Sequence, residues 1–152
     1  MRHLLTIAAL ALSATPASAQ WYEFEEVDPL TDVVTTTFAT VSEDTDAGLL
    51  IHKTCKVAPV VQFEEFDLSQ AVFPGKTITV HYRVDERPMN AVDGYGYKGR
   101  IMIGRSDRIL DDIMSANDRI VVRYSGAQGV SVTRVFDAPA VVDLKCAYTN
   151  GD

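Results

Sequence analysis

Residues 76–86, KTITVHYRVDE, decide what fold to expect from this sequence. Apolar residues occupy every second position, and polar or charged residues occupy the positions between them. Because side chains of an extended chain alternate between two faces, this period of two predicts a β-strand with one buried face. The β-branched and aromatic residues suit such a pleated surface. We interpret the stretch as the central strand, against which the other strands and one helix pack.

Further strands are predicted on both sides of this stretch, separated by turn signals such as DPLTD at 28–32. Pro59 cannot donate to a strand ladder, so its strand is expected at a sheet edge or at a bulge. Residues 140–148 fit either a second short helix or another strand. The predicted strands cover residues 21–27, 33–41, 49–55, 57–63, 100–104, 119–124 and 130–136, with a hairpin loop at 42–48.

One helix interrupts the strands, because apolar residues recur at helical spacing between residues 107 and 117. The residues of its apolar face are Ile109, Leu110, Ile113 and Met114. Residues 87–99, RPMNAVDGYGYKG, show neither periodicity and are predicted to form a loop. The fold class expected is mainly β, an antiparallel β-sandwich or flattened barrel with one or two short helices.

The first nineteen residues have the pattern of a secretory signal peptide. A short positive start precedes an apolar run, and Ala17-Ser18-Ala19 offers a cleavage site before Gln20. A membrane anchor is the alternative, but the run is short for a hydrocarbon layer of about 30 Å. We expect residues 20–152 to form a single β-rich domain that is periplasmic or secreted, with no membrane insertion after cleavage.

The charge of the chain disfavours two classes of partner. Asp and Glu number 21 against 14 Lys and Arg, for a net charge of −7. An acidic surface repels nucleic acid and anionic membranes, so neither is expected as a partner.

The two cysteines, Cys55 and Cys146, predict a disulfide bond in an exported protein. The alternative is a redox-active or metal-binding thiol, but the sequence has no C-x-x-C motif. We predict no metal and no cofactor.

The polar face of the first stretch carries the residues that could support acid–base chemistry, His81, Arg83 and Asp85. Positions 81 and 85 of one strand are about 13 Å apart, too far for a direct hydrogen bond. A solvated or ion-paired strand face is the competing interpretation. No catalytic residue is therefore assigned, and these three residues are kept as binding candidates.

Two acidic clusters could be functional sites or ordinary polar surface. Asp44 and Asp46 are spaced as in a calcium-binding loop, but the third ligand position and the late Glu of such a loop are missing, so a polar hairpin tip is the favoured interpretation. Glu64, Glu65 and Asp67 are interpreted as exposed loop charge.

Tyr95 and Tyr97 make residues 87–99 the best candidate for a binding surface. Tyrosine supplies a large amphipathic contact area with few rotatable bonds, and glycine lets a partner approach the backbone. Alternatively, both tyrosines cover the core and the glycines only permit turns.

Several marks along the chain resemble one family, the periplasmic type VI secretion-associated accessory proteins of the VasI/TagO kind. The marks are Trp21, the turn at 28–32, Lys53-x-Cys55, the strand end at 82–85, and Phe136 followed ten residues on by Cys146. The sequence departs from the family at two places, with Tyr95 and Tyr97 where a Trp is usual and Tyr148 in place of another Trp. The resemblance implies a non-enzymatic accessory domain that docks to a secretion or envelope complex.

Two functions are carried forward from the sequence. The first is a periplasmic, non-enzymatic binding domain with a protein partner in the cell envelope. The alternative is a cell-wall hydrolase or hydrolase inhibitor, which would use His81, Arg83 and Asp85.

Overall fold

The computed structural model describes residues 21–54, 57–66, 75–104, 107–126 and 129–137. Within these ranges the chain forms nine strands and one helix. Their bounds are β1 Tyr22–Val27, β2 Val34–Val41, β3 Ala47–Thr54, β4 Val57–Glu65, β5 Lys76–Val84, β6 Asn90–Tyr97, β7 Arg100–Ile103, α1 Asp107–Met114, β8 Arg119–Ser125 and β9 Ser131–Asp137.

The strands join into one sheet in the order β1-β2-β3-β4-β7-β6-β5-β8-β9. Every described pairing is antiparallel, which confirms the prediction of a mainly β, antiparallel fold. The strand of the opening stretch, β5, lies inside the sheet between β6 and β8. The middle position belongs to the short strand β7, so the placement of β5 as the central strand was wrong.

The sheet rolls up so that its two halves face each other. The rings of Phe63 on β4 and Phe136 on β9 have centroids 6.2 Å apart, although four strands separate β4 from β9 in the sheet. The N–H of Glu43, in the β2–β3 turn, donates to the carbonyl of Val135 on β9 at 2.9 Å. The roll encloses a core of alternate strand residues. Its fully buried members include Leu49, Ile51, Val61, Val80, Ile101, Ile103, Ile120 and Val122.

Helix α1 packs on this core with the face that its spacing predicts. Ile109 and Ile113 are buried, and Leu110 is half-buried against them. The hydroxyl of Tyr82 on β5 donates to Asp112 Oδ2 at 2.8 Å, which joins the helix to the sheet.

The prediction of a loop at residues 87–99 was wrong, because Asn90–Tyr97 forms strand β6. The buried positions in the second half of β6 are Gly94 and Gly96. No apolar side chain therefore alternates with the exposed residues there, and the sequence shows no period of two. A Cβ on Gly94 would lie 2.6 Å from Ile101 Cγ2, so the neighbouring strand occupies that space.

Two smaller expectations also changed. Ala47 and Gly48 belong to β3 and not to the hairpin loop, which is therefore shorter than predicted. Pro59 lies in an interior strand, where the register between β3 and β4 shifts between His52 and Thr54, so the bulge alternative applies. Cys55, Cys146 and residues 140–148 lie outside the described residues.

Candidate functional site

The outer face of the sheet, turned away from the core, carries an exposed patch on β6 and β7. Tyr95 and Tyr97 are 52% and 45% exposed, and Met102 is 41% exposed. Met102 is the cross-strand partner of Tyr95. We call Tyr95, Tyr97 and Met102 the tyrosine patch. The interpretation that both tyrosines cover the core was wrong, since both are exposed and the alternate positions, Gly94 and Gly96, are the buried ones.

A chain of polar side chains begins at the edge of the tyrosine patch and crosses four strands. Arg100, the partner of Tyr97, donates from Nε to Glu64 Oε1 at 2.9 Å. Glu64 Oε2 accepts from Gln62 Nε2 at 3.4 Å, and Gln62 Oε1 lies 3.3 Å from His52 Nε2. His52 Nδ1 in turn lies 3.0 Å from the hydroxyl of Thr37, so side chains of β7, β4, β3 and β2 hold one another in place. Sequence reasoning missed this network, because the residues meet only through the strand registers.

The turn between β6 and β7 fixes one side of the tyrosine patch. Its two residues, Lys98 and Gly99, have φ angles of 44° and 78°, which a two-residue type I′ hairpin requires. Lys98 Nζ lies 5.2 Å from the centroid of the Tyr97 ring, within cation–π range. The turn therefore ends the tyrosine patch next to Tyr97 and places the positive charge of Lys98 beside it.

His81 and Arg83 lie on β5 and point away from the core, as predicted, but Asp85 does not join them. His81 faces Arg123 of β8 across the sheet. Asp85 follows the strand at a φ of 51° and accepts backbone N–H groups of Asn117, Asp118 and Arg119 at 3.2, 2.9 and 3.2 Å. Partial burial raises the pKa of Asp85, but these backbone donors outweigh it and hold the pKa below its usual range. Its carboxylate thus secures the start of β8.

A cleft opens where β5 and β8 part. Their pairing runs from Val84↔Ile120 to His81↔Arg123, and both strands continue beyond it. The cleft has a volume of about 730 Å³. We call it the β5–β8 cleft. It is lined by Lys76, Thr77, Ile78, Thr79, His81, Arg123, Tyr124, Ser125, Gly126, Gly129 and Ser131. A smaller cavity of about 200 Å³ adjoins His81, Arg83 and Met89 on the same strand pair.

Glu65 was predicted to be exposed loop charge, and this prediction was wrong. Its side chain is 3% exposed and lies inside the rolled sheet, at the end of β4. Arg134 of β9 donates to both of its oxygens, from Nε at 3.1 Å and from Nη2 at 2.7 Å, and the Tyr124 hydroxyl donates to Oε1. This set of residues joins β4, β8 and β9.

The acidic hairpin tip is tied to the same arginine. Asp44 Oδ2 accepts from Arg134 Nη1 at 2.8 Å, and Asp44 Oδ1 accepts from the Ser42 hydroxyl at 2.5 Å. Burial raises the pKa of Asp44, but the hydrogen bonds from Ser42 and the Asp46 N–H and the charge of Arg134 lower it further than burial raises it. Among the described residues, no group of three or more His, Cys, Asp or Glu is placed to hold a metal ion.

Among these groups, the hydroxyl of Tyr82 has the pKa that is shifted furthest from its usual value. Burial, followed by its hydrogen bond to Asp112 and the negative charge of that residue, raises the pKa of Tyr82 to about 12. The phenol therefore stays protonated as a donor to the helix throughout the neutral range.

Comparison with known proteins leaves the family open. No family model, no curated protein and no solved structure matches the chain. The resemblance to the secretion-associated accessory family stays a prediction. In the part of the chain that the structure describes, no helix has the length and apolar character needed to cross a membrane.

Proposed function

We propose that this protein is an exported, non-catalytic domain that binds a protein partner of the cell envelope through the tyrosine patch. One observation carries the proposal: Tyr95, Tyr97 and Met102 are exposed side by side on two paired strands. Tyrosine, methionine and arginine are enriched at protein–protein interfaces relative to the remaining surface.

The scaffold beneath the tyrosine patch supports a binding role. Both tyrosines sit on a strand that is paired on its two sides, with β5 and with β7. Neighbouring Arg100 is held by Glu64, so a partner would meet a charged group with a fixed direction. A pre-organised surface loses little conformational entropy when it binds.

The alternative of a cell-wall hydrolase needs His81 and Asp85 to act together. Asp85 is instead engaged by three backbone N–H groups at the start of β8. His81 faces Arg123, a cation, and not a carboxylate that could orient it. These contacts favour binding over proton transfer as the role of this surface.

The proposal is tested by comparing partner recovery from the periplasmic fraction of the source organism. The purified domain, its Tyr95→Ala/Tyr97→Ala variant and a Tyr22→Ala variant are immobilised at equal density. Tyr22 is a matched control because its exposed fraction, 51%, is nearly that of Tyr95, whereas it lies on the edge strand β1. We expect a discrete partner to be retained by the wild type and by Tyr22→Ala, and lost from the double variant.

Recovery of the same partners by all three proteins would contradict the proposal. Circular dichroism and the urea midpoint of each variant confirm beforehand that the sheet is intact. Peptidoglycan turnover by the wild type that is lost in His81→Ala would favour the hydrolase instead.

A further inference from the structure

The β5–β8 cleft leaves strand edges open inside the sheet. Within the described residues, β5 pairs with β6 from Lys76 to Tyr82, but its pairing with β8 begins only at His81. Tyr124 and Ser125 of β8 pair with β9 on one side and face the cleft on the other. Backbone N–H and C=O groups along such an edge need partners, from water or from another chain.

The charge of the cleft contrasts with that of the whole molecule. The chain has a net charge of −7, yet Arg123 lines the cleft opposite His81. Among the described lining residues there is no Asp or Glu, and five have hydroxyl side chains. Two lining residues donate to carboxylates: the hydroxyl of Thr79 to Asp93 at 2.8 Å, and the hydroxyl of Tyr124 to Glu65, whose charge is paired with Arg134. The cleft thus favours a ligand that carries negative charge.

The alternation of β5 gives the cleft two different sides. Thr77, Thr79 and His81 belong to the outer face, with Arg123 opposite His81. Ile78 and Tyr124 belong to the core side and are buried. An extended segment lying along β5 would alternate in the same way, with one set of side chains toward the cations and the next toward the apolar floor.

We propose that the β5–β8 cleft binds an extended acidic peptide segment, which adds as a strand to the open edge of β5. Main-chain hydrogen bonds to residues 77–80 provide affinity, as in other strand-addition complexes. Specificity comes from acidic side chains facing Arg123 and His81 and apolar side chains facing Ile78 and Tyr124. The volume of about 730 Å³ lies within the usual range of roughly 300–1,000 Å³ for ligand sites.

This cleft adjoins the tyrosine patch, because its lining residue Thr77 is the cross-strand partner of Tyr95, but the two sites share no residue. The two sites can therefore be tested independently. The Tyr95→Ala/Tyr97→Ala variant keeps every residue that lines the cleft. It can therefore lose binding through the tyrosine patch and still bind a peptide in the cleft.

The test uses a synthetic library of peptides of about eight residues, the length of a strand. Glutamate is fixed at alternate positions and the positions between are varied among Val, Ile, Leu, Ala and Thr. A second library has lysine in place of glutamate. The best binder is resynthesised in three forms: unmodified, with glutamine for glutamate, and N-methylated at every second residue of the backbone. Each is measured by isothermal titration against the full mature protein.

We expect the acidic library to be enriched over the lysine library. The glutamine form and the N-methylated form should each bind about tenfold more weakly or worse, because one lacks the charges and the other lacks the strand donors. Arg123→Gln should weaken the unmodified peptide by a similar factor. Arg119→Gln is the matched control, since Arg119 lies on the same strand outside the cleft and pairs with the exposed Glu86 at 3.0 Å.

Equal recovery from both libraries, or affinity that survives N-methylation, would overturn the proposal. So would an Arg123→Gln effect no larger than that of Arg119→Gln. Binding of free glutamate or inorganic phosphate as tightly as the peptide would show a small-anion site and would reject strand addition.

Discussion

At the scale of single residues, two adjacent glutamates in β4 show how burial determines the contribution of an ion pair to stability. Glu64 pairs with Arg100, whose side chain is half exposed, at 2.9 Å. Glu65 pairs with Arg134 at 2.7 Å, and its side chain is 3% exposed. Arg134 donates to both oxygens of Glu65 and Arg100 to one oxygen of Glu64, and water can replace the partner of Glu64 far more easily than that of Glu65.

Replacing Arg134 with methionine should lower the free energy of unfolding by about 3–5 kcal/mol, because Glu65 would be left buried without its cation. Arg100→Met is the matched variant and should cost about 0–1 kcal/mol, the range of exposed pairs. Urea denaturation monitored by tryptophan fluorescence measures both changes.

The double variant Glu65→Leu/Arg134→Met should lose less stability than Arg134→Met alone, since no unpaired charge remains in the core. If the two variants are equally destabilised, the loss comes from packing of the arginine and not from its charge.

At the scale of elements, the sequence predicted strands and the helix where apolar residues reveal the period. The alternation of β5 and the helical spacing of Ile109 and Ile113 were sufficient for those elements. Strand β6 could not be found in this way, because Gly94 and Gly96 occupy its inward positions and leave no apolar signal. The polar network from Arg100 to Thr37 depends on strand registers, which no local pattern contains.

Gly94→Ala tests why β6 carries glycine in a strand. The new Cβ would meet Ile101 Cγ2 at 2.6 Å and Ile103 Cγ1 at 3.2 Å. Such overpacking should cost about 1–3 kcal/mol of stability. Thermal unfolding followed by circular dichroism measures the loss.

Gly104→Ala provides the comparison, because nothing lies within 4 Å of its added Cβ. Its stability should stay within about 0.5 kcal/mol of the wild type. Equal effects of the two substitutions would show that the contact with β7 does not explain the glycine.

At the scale of the whole molecule, the class of fold followed from the sequence but the strand order did not. Strands that follow one another in the chain mostly pair, as turn signals predict, yet β4 pairs with β7 and β5 with β8. Those pairings join distant segments, and only the completed core selects them. The predicted bond between Cys55 and Cys146 concerns residues outside the described ranges and stays a prediction.

Cys55→Ser should destabilise the exported protein by about 4–5 kcal/mol, the chain-entropy value for a loop of roughly ninety residues. The double variant Cys55→Ser/Cys146→Ser should be no less stable than the single one, because one substitution already opens the bridge. Urea midpoints of oxidised protein measure the effect. Two titratable thiols in the unfolded wild type, without reductant, would refute the bridge.

The β4–β7 pairing marks the boundary between two sets of strands in the sheet, β1–β4 and β5–β9. Four residue pairs, from Val61↔Ile103 to Glu64↔Arg100, are the only described ladder between strands β1–β4 and strands β5–β9. Each half could keep all of its other ladders if this seam opened. Closing it requires segments about forty positions apart in the chain to meet, a slow step compared with hairpin formation. The β5–β8 ladder joins segments equally far apart, so we expect the hairpins to form first and both long-range ladders to form after them.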